Sequence, residues 1–467
     1  MSLLATPSLP IRNALLSLPP SIRAHLYSTA VPNLATTSNG SIPTNGAIPP
    51  PWRPSHILDE WVNRDARPIS LRQLGFFGRT LTEERLIAAA NYVRLELPTR
   101  LSHRLRDFQK LPYSALKNDH ISYVYELYYS AFERVRKSSQ IRTLDENEKF
   151  CKILNHILNE HLTVIPRLAL GVLEISDIIG SDFSDSFMTT LLRSRISRRL
   201  IAQQHLALTE TFNAPWHFPK AEKNPSLAED DLVGEIFLKC SAKDIIERCA
   251  SAATELTKAA YGSDVAIPKI NIQGHTNATF PFILSHIEYI VGEILRNSIQ
   301  AVVEQRGGLS DPPPIDVLIC EAAQHVIIRV SDQGGGVDRD ILPYLWSFAK
   351  GPRRHKRLEN LGLVPTQAAT MQELQMSPAP SIQPDGLGSA VLEGAEKHGS
   401  SLSSFVSRPP NLRLGMGLPM SKIYAEYWAG GLELHSLEGY GCDTFLTIER
   451  LGNKNEVLTT RASMDGL

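Results

Sequence analysis

The pattern of apolar residues changes near the middle of the chain, and no other feature limits the fold as much. From Ser70 to about Phe212, apolar residues recur at helical spacing between short polar breaks, which predicts a bundle of long helices. Residues 213–231 are polar and contain three prolines, so they mark a domain boundary. Beyond this boundary, short strand-like runs and helices follow one another, which predicts a sandwich of sheet and helices.

The same patterns predict individual elements. In the first part, we expect helices over Thr82–Pro98 and Thr99–Phe108, and near 119–137, 146–175 and 182–212. Pro166 lies inside the segment 146–175 and is expected to kink it. In the second part, we expect helices over Ser241–Ala260, 287–304 and Met420–Trp428, and strands over Ile267–Ile272, Ile315–Cys320, His325–Ser331, Gly431–Ser436 and Thr444–Glu449.

Length and composition agree with two globular domains. The 467 residues are too many for one ordinary core, and 42% apolar and 21% charged residues are typical of a folded protein. A net charge of −1 indicates no overall field for nucleic acid or a membrane surface. The five cysteines form no C-x-x-C pair, which argues against a disulfide framework or a zinc site and fits a reducing compartment.

The N-terminal segment has the composition of a mitochondrial transit peptide. No Asp or Glu occurs before Asp59, while the same stretch contains arginines and many Ser and Thr residues. We predict a transit peptide over residues 1–27, with cleavage near Tyr27, and a disordered linker over residues 28–64. Four prolines within the first 27 residues weaken any helix there, so a disordered tail without a targeting role is the alternative.

A helix-forming segment carries the first pair of candidate site residues. Glu293 and Asn297 are four residues apart, so a helix places them on one face. A carboxylate and an amide oxygen on one face suit a hydrated Mg²⁺, and Glu293 could also accept a proton from an attacking hydroxyl. Taken alone, the pair is better explained as two exposed polar residues on an amphipathic helix.

Three glycine-containing turns carry the remaining candidates. Asp332 ends an apolar strand before a run of glycines, where a carboxylate can bind an exocyclic amine and a flat ring can approach the backbone. Gly415 and Gly417 precede a helix, and such turns bind phosphates through backbone N–H groups. Thr444 follows a third glycine pair at a strand start, where its hydroxyl could meet the base. Each turn in isolation also fits an ordinary structural turn.

The order of these four elements resembles the four ATP-site motifs of the GHKL superfamily of ATPases and kinases. Along the chain they read Glu-x-x-x-Asn, Asp-x-Gly-x-Gly and two Gly-x-Gly turns. Neither a Walker A motif nor the motifs of the eukaryotic protein kinases are present in the sequence. The four weak signals therefore predict an ATP site together.

The helical half resembles the mitochondrial 2-oxo acid dehydrogenase kinases, which comprise the pyruvate dehydrogenase kinases and the branched-chain ketoacid dehydrogenase kinase. The resemblance covers roughly Arg67 to Arg450 and is carried by Arg67–Leu74, Glu96–Arg100, Ser194–Arg199 and Gln204–Leu208. It implies an α + α/β fold, with an N-terminal four-helix bundle and a GHKL-type α/β sandwich. The implied bounds are 65–230 for the bundle, 231–452 for the sandwich, about 351–412 for a lid insertion and 453–467 for a tail.

The resemblance also implies an activity and partners. Such a kinase transfers phosphate from Mg-ATP to a serine of the dehydrogenase component in the mitochondrial matrix and thereby inactivates the complex; K⁺ is a further candidate ion. It docks on lipoyl domains of the acyltransferase core and forms a homodimer. The pyruvate dehydrogenase complex is the expected target, with the branched-chain complex close behind, because docking surfaces that the sequence does not show decide between them. A non-catalytic or weakly active regulator that docks on the complex is the alternative function.

Roles transfer to this chain where its residues match the family motifs. By resemblance, Glu293 is the catalytic base, Asn297 holds Mg²⁺, Asp332 binds adenine and Thr444 supports the base. The other nucleotide-binding positions that the resemblance implies are Gln300, Gly334, Gly336, Ser347, Phe348, Arg413, Leu414, Gly415, Met416, Gly417 and Leu418.

Some positions near the ATP site depart from the family pattern. Tyr289 stands one helical turn before Glu293, where the pyruvate dehydrogenase kinases carry a histidine. Arg413 replaces the first glycine of the third motif, so it either contacts phosphate or stiffens the lid. The basic run Pro352–Arg357 is interpreted as solvated, with a contact to phosphate or to an acidic partner as the alternative.

A second site is implied in the helical half. His161, Arg195 and Arg199 match positions that line a regulatory pocket for 2-oxo acids, and paired arginines hold carboxylates bidentately. Arg198 stands where the family has an apolar residue and could reshape this pocket. A charged helix face explains these arginines equally well.

Overall fold

A computed structural model describes residues 56–79, 81–213, 232–306, 311–363 and 414–458. The predicted transit peptide, the linker up to residue 55, most of the lid insertion and Arg413 lie outside the described residues. The predicted order of a helical region followed by a mixed sheet with helices is confirmed.

The first half of the described chain is helical. Its helices are α1 His56–Val62, α2 Leu71–Arg79, α3 Glu83–Gln109, α4 Tyr113–Leu116, α5 Asp119–Arg136, α6 Leu144–Glu160, α7 Val164–Ile179 and α8 Ser181–Asn213. Side chains cap three of the longer ones, since Thr82, Asn118 and Thr143 each accept backbone N–H groups of the first turn. These caps explain why α3, α5 and α6 begin where they do.

The predicted break at Pro98 is wrong. The helix α3 continues through Pro98, and Leu97, Leu101 and Leu105 are buried along it. A proline lacks the N–H that would bond the preceding turn, and this loss costs about 3 kcal/mol in a helix interior. Burial on both sides of Pro98 offsets that loss, so packing overrides the local signal.

The predicted single helix over 146–175 is also wrong. It is two helices, α6 and α7, separated by a short 3₁₀ turn at His161–Thr163. Pro166 therefore lies in the first turn of α7, where a backbone N–H has no partner within the helix. It starts a helix instead of kinking one.

The long helices pack on a shared aromatic and aliphatic core. The helix α3 packs against α5 and α8, and α7 packs against the same two helices. Phe108 lies at the centre, with ring centroids 5.9 Å from Tyr128 and 5.3 Å from Phe187, both at edge-to-face angles. All three rings are buried, so residues of α3, α5 and α8 share one core.

The second half contains two sheets and their covering helices. The strands are β1 Leu232–Val233, β2 Ile236–Ser241, β3 Ile270–Gly274, β4 Thr279–Ile283, β5 Ile315–Glu321, β6 His325–Ser331, β7 Gly431–Leu437 and β8 Gly441–Glu449. The helices are α9 Ala242–Tyr261, α10 Leu284–Arg306, α11 Arg354–Leu363 and α12 Gly417–Tyr427. The predicted strand pairs on either side of 321–325 and of 437–441 are confirmed as antiparallel hairpins.

The larger sheet positions the candidate site. Its strand order is β3-β5-β6-β8-β7, with β3 parallel to β5 and every other pair antiparallel. The helix α10 packs against α9 and α12. In β6, burial alternates residue by residue, so one face of the strand is covered. The strand ends at Ser331, which places Asp332 at the edge of the sheet.

Two predicted segment bounds are corrected. Helix α1 lies within the predicted linker, and Leu58 and Val62 are buried because they pack into the helical core. Near the other end, Glu456 is 3% exposed although residues 453–467 were predicted to be a tail. Its carboxylate accepts hydrogen bonds from Arg100 Nη2 at 2.8 Å and from the Ile69 backbone N–H at 3.1 Å. The C-terminal segment up to Leu458 therefore packs against the helical half.

Among the residues that the structure describes, no helix is both long and apolar enough to cross a membrane.

Candidate active site

Asp332 forms the best-defined part of the candidate site. It follows β6, is 7% exposed, and accepts a hydrogen bond at Oδ2 from Ser298 Oγ at 2.8 Å. Its Oδ1 accepts the backbone N–H groups of Gly334 at 3.0 Å and Cys442 at 3.3 Å. Burial raises the pKa of the Asp332 carboxyl, while these hydrogen bonds lower it. The carboxylate is thus fixed between helix α10, its own turn and strand β8.

The glycines around Asp332 are required by close packing. A Cβ on Gly334 would lie 2.5 Å from the Cβ of Ala301 in α10, and a Cβ on Gly441 would lie 1.9 Å from the Asp332 carbonyl oxygen. Gly336 has φ +74°, a conformation that side chains other than glycine rarely adopt. The second motif therefore packs directly on the fourth motif and on the helix of the first.

Glu293 joins the first motif to the third. It is fully buried on α10, and its Oε2 accepts a hydrogen bond from Arg296 Nη2 at 2.6 Å. A Cβ on Gly417 would lie 2.1 Å from the same oxygen, so only glycine lets the start of α12 approach the carboxylate this closely. Asn297 follows one turn later and is half-buried. The fold thus brings residues of the first three motifs onto or against α10, and the fourth motif packs on the second.

Thr444 lies in the centre of the sheet. It is 3% exposed and pairs in register with Val330 of β6 and Leu434 of β7. Tyr289 is also buried, with its ring 5.3 Å from the ring of Tyr424 in α12. Both residues therefore pack on the elements that carry the site.

The predicted position Gln300 has other partners. Its amide nitrogen donates to the Tyr261 hydroxyl at 3.0 Å and to Glu304 at 3.2 Å. It is the Ser298 side chain, two residues earlier, that bonds Asp332. The sequence motif did not single out Ser298, although its hydroxyl stands next to Asn297.

The predicted positions Ser347 and Phe348 are tied to the helical half. Asp185 of α8 accepts hydrogen bonds from Ser347 Oγ at 2.5 Å, from the Phe348 N–H at 2.8 Å and from the Ala349 N–H at 2.9 Å. Sequence reasoning missed Asp185, because one acidic residue in a helix has no distinguishing pattern. Only the tertiary structure pairs it with a turn 162 residues later.

The turn at Leu414–Leu418, which is predicted to bind phosphate, has mixed exposure. Leu414 and Met416 are buried, Leu418 is partly buried, and Gly415 has φ +68°. Gly417 begins α12, so the N–H groups of its first turn lack partners within the helix. Positive φ, small residues and a helix N-terminus together suit a polyanionic phosphate chain.

The donor set of this site fits Mg-ATP. A buried, hydrogen-bonded carboxylate at Asp332 suits an amino group, and close approach at Gly334 and Gly336 suits a flat ring beside it. The turn of Gly415 suits phosphates, and the half-buried amide of Asn297 offers the oxygen ligand that Mg²⁺ prefers. Among the described residues, no group of three or more His, Cys, Asp or Glu side chains is arranged to hold a metal ion.

The predicted regulatory residues lie together in the helical half. A cavity of about 30 Å³ is lined by His161, Arg195, Arg198 and Arg199 together with aliphatic residues. Arg195 Nη2 donates to the His161 carbonyl oxygen at 3.3 Å, and the Arg198 guanidinium lies 4.1 Å from the centre of the Tyr128 ring. Burial, with the nearby arginines, lowers the pKa of His161 to about 3, so its ring is neutral at physiological pH.

A larger, mainly apolar cavity lies nearby. Its volume is about 620 Å³, and Ile69, Leu74, Phe76, Val93, Ile201 and Leu208 supply much of its lining. The Phe76 ring is 63% exposed beside it. Such a lining suits an apolar group rather than a charged one.

Comparisons with known proteins agree on one family. A family model described as mitochondrial branched-chain alpha-ketoacid dehydrogenase kinase matches residues 68–237. A Saccharomyces cerevisiae protein named pyruvate dehydrogenase (acetyl-transferring) kinase 2, mitochondrial, is 33% identical over an alignment of 427 residues that covers 85% of this chain and 84% of that protein. Proteins named pyruvate dehydrogenase (acetyl-transferring) kinase, mitochondrial, are similar as well, at 29% identity over 410 residues in Arabidopsis thaliana and 26% over 420 residues in Drosophila melanogaster.

The first of these similarities spans more than four fifths of both chains, from the helical half through the sheet. The chain belongs to the family of mitochondrial 2-oxo acid dehydrogenase kinases, which includes the pyruvate and the branched-chain kinases.

Proposed function

We propose that this protein is a serine/threonine kinase of the mitochondrial matrix that phosphorylates and inactivates the dehydrogenase component of a 2-oxo acid dehydrogenase complex. The observation that carries the proposal is the assembly of Glu293, Asp332 and the Gly417 turn around helix α10 in a chain of this family. The pairwise packing of α3, α5, α7 and α8 supports a four-helix bundle, and the sheet with α9, α10 and α12 supports a GHKL-type sandwich.

Each residue of the site has a proposed role. Asp332 binds the adenine amino group, and Thr444 supports that base from the neighbouring strand. Backbone N–H groups at Gly415 and Gly417 bind phosphates, and Asn297 holds Mg²⁺. Mg²⁺ neutralises charge on the phosphates when bound, which is most of what phosphoryl transfer requires besides positioning.

Glu293 is the proposed base. Its buried carboxylate would accept the proton of the attacking serine hydroxyl, and Arg296 holds the carboxylate in place at 2.6 Å. Glu293→Gln keeps the shape and removes the basicity, so phosphorylation should be lost while ATP binding is retained. The matched control is Glu304→Gln, an exposed position on the same helix. Full activity of Glu293→Gln would remove the base assignment.

The target complex is proposed to be the pyruvate dehydrogenase complex, with the branched-chain complex as second candidate. The named relatives are pyruvate dehydrogenase kinases, whereas the matching family model is described as a branched-chain kinase. Purified protein with Mg-ATP should phosphorylate a serine on one complex faster than on the other in a side-by-side assay. If neither complex is phosphorylated, the proposed function is wrong.

Docking on a lipoyl domain and a homodimer are proposed as well. The apolar cavity of about 620 Å³ beside Phe76 is the proposed seat for the lipoyl arm, because it offers apolar lining of sufficient size. Phe76→Ser should weaken binding of a lipoylated domain and leave binding of the unlipoylated domain unchanged. Sedimentation at several concentrations would test the dimer.

The pocket at His161, Arg195 and Arg199 is proposed to bind a 2-oxo acid effector. The arrangement supports it through two buried guanidinium groups beside a neutral imidazole. Its volume of about 30 Å³ means that side chains must move to admit an effector. Arg199→Gln should abolish effector inhibition in the kinase assay without changing the affinity for ATP.

The alternative function is a non-catalytic or weakly active regulator. Complete burial of Glu293 in an ion pair with Arg296 favours it, because a base must reach the substrate hydroxyl. Wild-type transfer no faster than that of Glu293→Gln, with normal docking on the complex, would support this alternative.

A further inference from the structure

Helix α11 carries an arginine into the candidate site. The basic run Pro352–Arg357 was interpreted as solvated, but Arg357 is half-buried and lies against the phosphate turn. A Cβ on Gly415 would lie 2.4 Å from Arg357 Nε and 3.0 Å from its Cζ. The guanidinium is therefore in direct contact with the turn that precedes α12.

The orientation of Arg357 is fixed from the opposite side. Its Nη1 donates to the carbonyl oxygens of Ser347 at 3.0 Å, Phe348 at 3.4 Å and Lys350 at 3.4 Å. These three bonds use one nitrogen of the guanidinium, while its Nε lies on the side of Gly415. Burial lowers the pKa of Arg357, and the nearby Asp185 raises it.

Asp185 holds the turn that binds Arg357. This carboxylate of α8 accepts hydrogen bonds from Ser347 Oγ and from the N–H groups of Phe348 and Ala349 at 2.5–2.9 Å. Lys350 N–H in turn donates to Ser347 Oγ at 2.8 Å, which closes the turn. One acid of the helical half therefore organises the three carbonyl oxygens that grip Arg357.

We propose that Arg357 is a further nucleotide-binding residue, whose guanidinium neutralises phosphate charge at the Gly415 turn, and that Asp185 is its positioning residue. A guanidinium beside a glycine turn at a helix N-terminus offers charge-assisted hydrogen bonds to phosphate oxygens. The inference rests on the proposed ATP site and adds to it a residue outside the four motifs. It also makes nucleotide affinity depend on the helical half.

Calorimetric titration of the full-length protein with ATP, ADP and adenosine tests the proposal. Loss of one charge-assisted contact corresponds to a loss in affinity of about tenfold or more, so Arg357→Gln should bind ATP and ADP that much more weakly. Its affinity for adenosine should not change, because adenosine has no phosphate. Arg357→Lys should bind ATP better than Arg357→Gln, since it keeps the charge.

Asp185→Ala should also weaken ATP binding and spare adenosine. The matched control is Asp182→Ala, since Asp182 is exposed on the same helix and pairs with the side chain of Lys350, away from the backbone of the turn. The double variant Arg357→Gln/Asp185→Ala should bind ATP no more weakly than Arg357→Gln alone, because both changes remove the same interaction with phosphate.

Three outcomes would overturn the proposal. They are wild-type ATP affinity in Arg357→Gln, an equal loss of adenosine and ATP affinity, and an Asp185→Ala variant that binds like Asp182→Ala. Thermal unfolding of each variant shows whether it is folded. If Arg357→Gln does not fold, Arg357→Lys is compared with the wild type instead. A wild-type protein that binds ATP but phosphorylates no dehydrogenase would refute the proposed function and leave this test intact.

Discussion

The buried ion pair between Arg100 and Glu456 should determine much of the stability of the molecule. The two side chains are 2% and 0% exposed, and Arg100 Nη2 lies 2.8 Å from Glu456 Oε1. The Tyr427 hydroxyl donates to Oε2 of the same carboxylate, and burial beside Glu456 raises the pKa of this tyrosine. One carboxylate therefore joins helix α3, helix α12 and the C-terminal segment.

The change Glu456→Gln removes the charge of the side chain and keeps its shape. Removing one partner of a buried pair costs about 3–5 kcal/mol, because the other charge stays buried without compensation. Arg100 keeps a second partner, Glu96, whose Oε2 is 3.2 Å from its Nε. The expected loss is therefore at the lower end, about 3 kcal/mol of unfolding free energy.

Urea unfolding of the wild type and of Glu456→Gln measures this difference. The control is Glu438→Gln, since Glu438 pairs with Arg339 at 3.2 Å but the two side chains are 50% and 88% exposed. The control should unfold like the wild type, because solvent screens an exposed pair. A loss below about 1 kcal/mol in Glu456→Gln would refute the reasoning, since that is the range of exposed pairs.

Three further predictions concern the site and the core. Asp332→Asn should weaken ATP binding by about tenfold in calorimetry, because its amide cannot accept at both positions as the carboxylate does. Gly334→Ala should destabilise the protein by about 1–3 kcal/mol in urea through overpacking against α10. Gly431→Ala should not, because its new Cβ would meet no described atom beyond its chain neighbours within 4 Å. Burial lowers the pKa of His286 from 6.5 to about 3 and that of His205 from 6.5 to about 4. On acidification, these histidines therefore become protonated at a higher pH in the unfolded state than in the folded state. Below pH 6.5, the free energy of unfolding should therefore fall by about 1.4 kcal/mol for each histidine and each pH unit as the pH is lowered towards 4. A urea midpoint that stays the same from pH 7.5 to pH 5 would contradict this.

Local patterns predicted the elements that pack in ordinary ways. The helices near α5, α9 and α10 and both hairpins follow from periodicity and turns, because their cores are formed by regularly spaced apolar residues. The prolines show where this reasoning fails. Pro98 predicts a break that packing overrides, and Pro166 predicts a kink where a helix begins. The free-energy cost of a proline in a helix does not reveal how much burial of the neighbouring residues offsets it.

The ATP motifs were predicted from their order, since their residue types are chemically specific. Their mutual packing needed the tertiary structure. The sequence does not show that Gly417 approaches Glu293, or that Ser298 rather than Gln300 bonds the buried carboxylate. Glycines are informative in a sequence, whereas the atoms they make room for are visible only in the fold.

The sequence by itself determined the family, the two-part organisation and the residues of the four motifs, because these depend on residue type and spacing. Only the tertiary structure showed that Asp185 of the helical half holds the turn before α11, that Arg357 reaches Gly415, and that Glu456 is buried against Arg100. The physical reason is that these contacts join residues far apart in the chain through hydrogen bonds and charge. Each single residue is common in its own segment, so no local pattern distinguishes it.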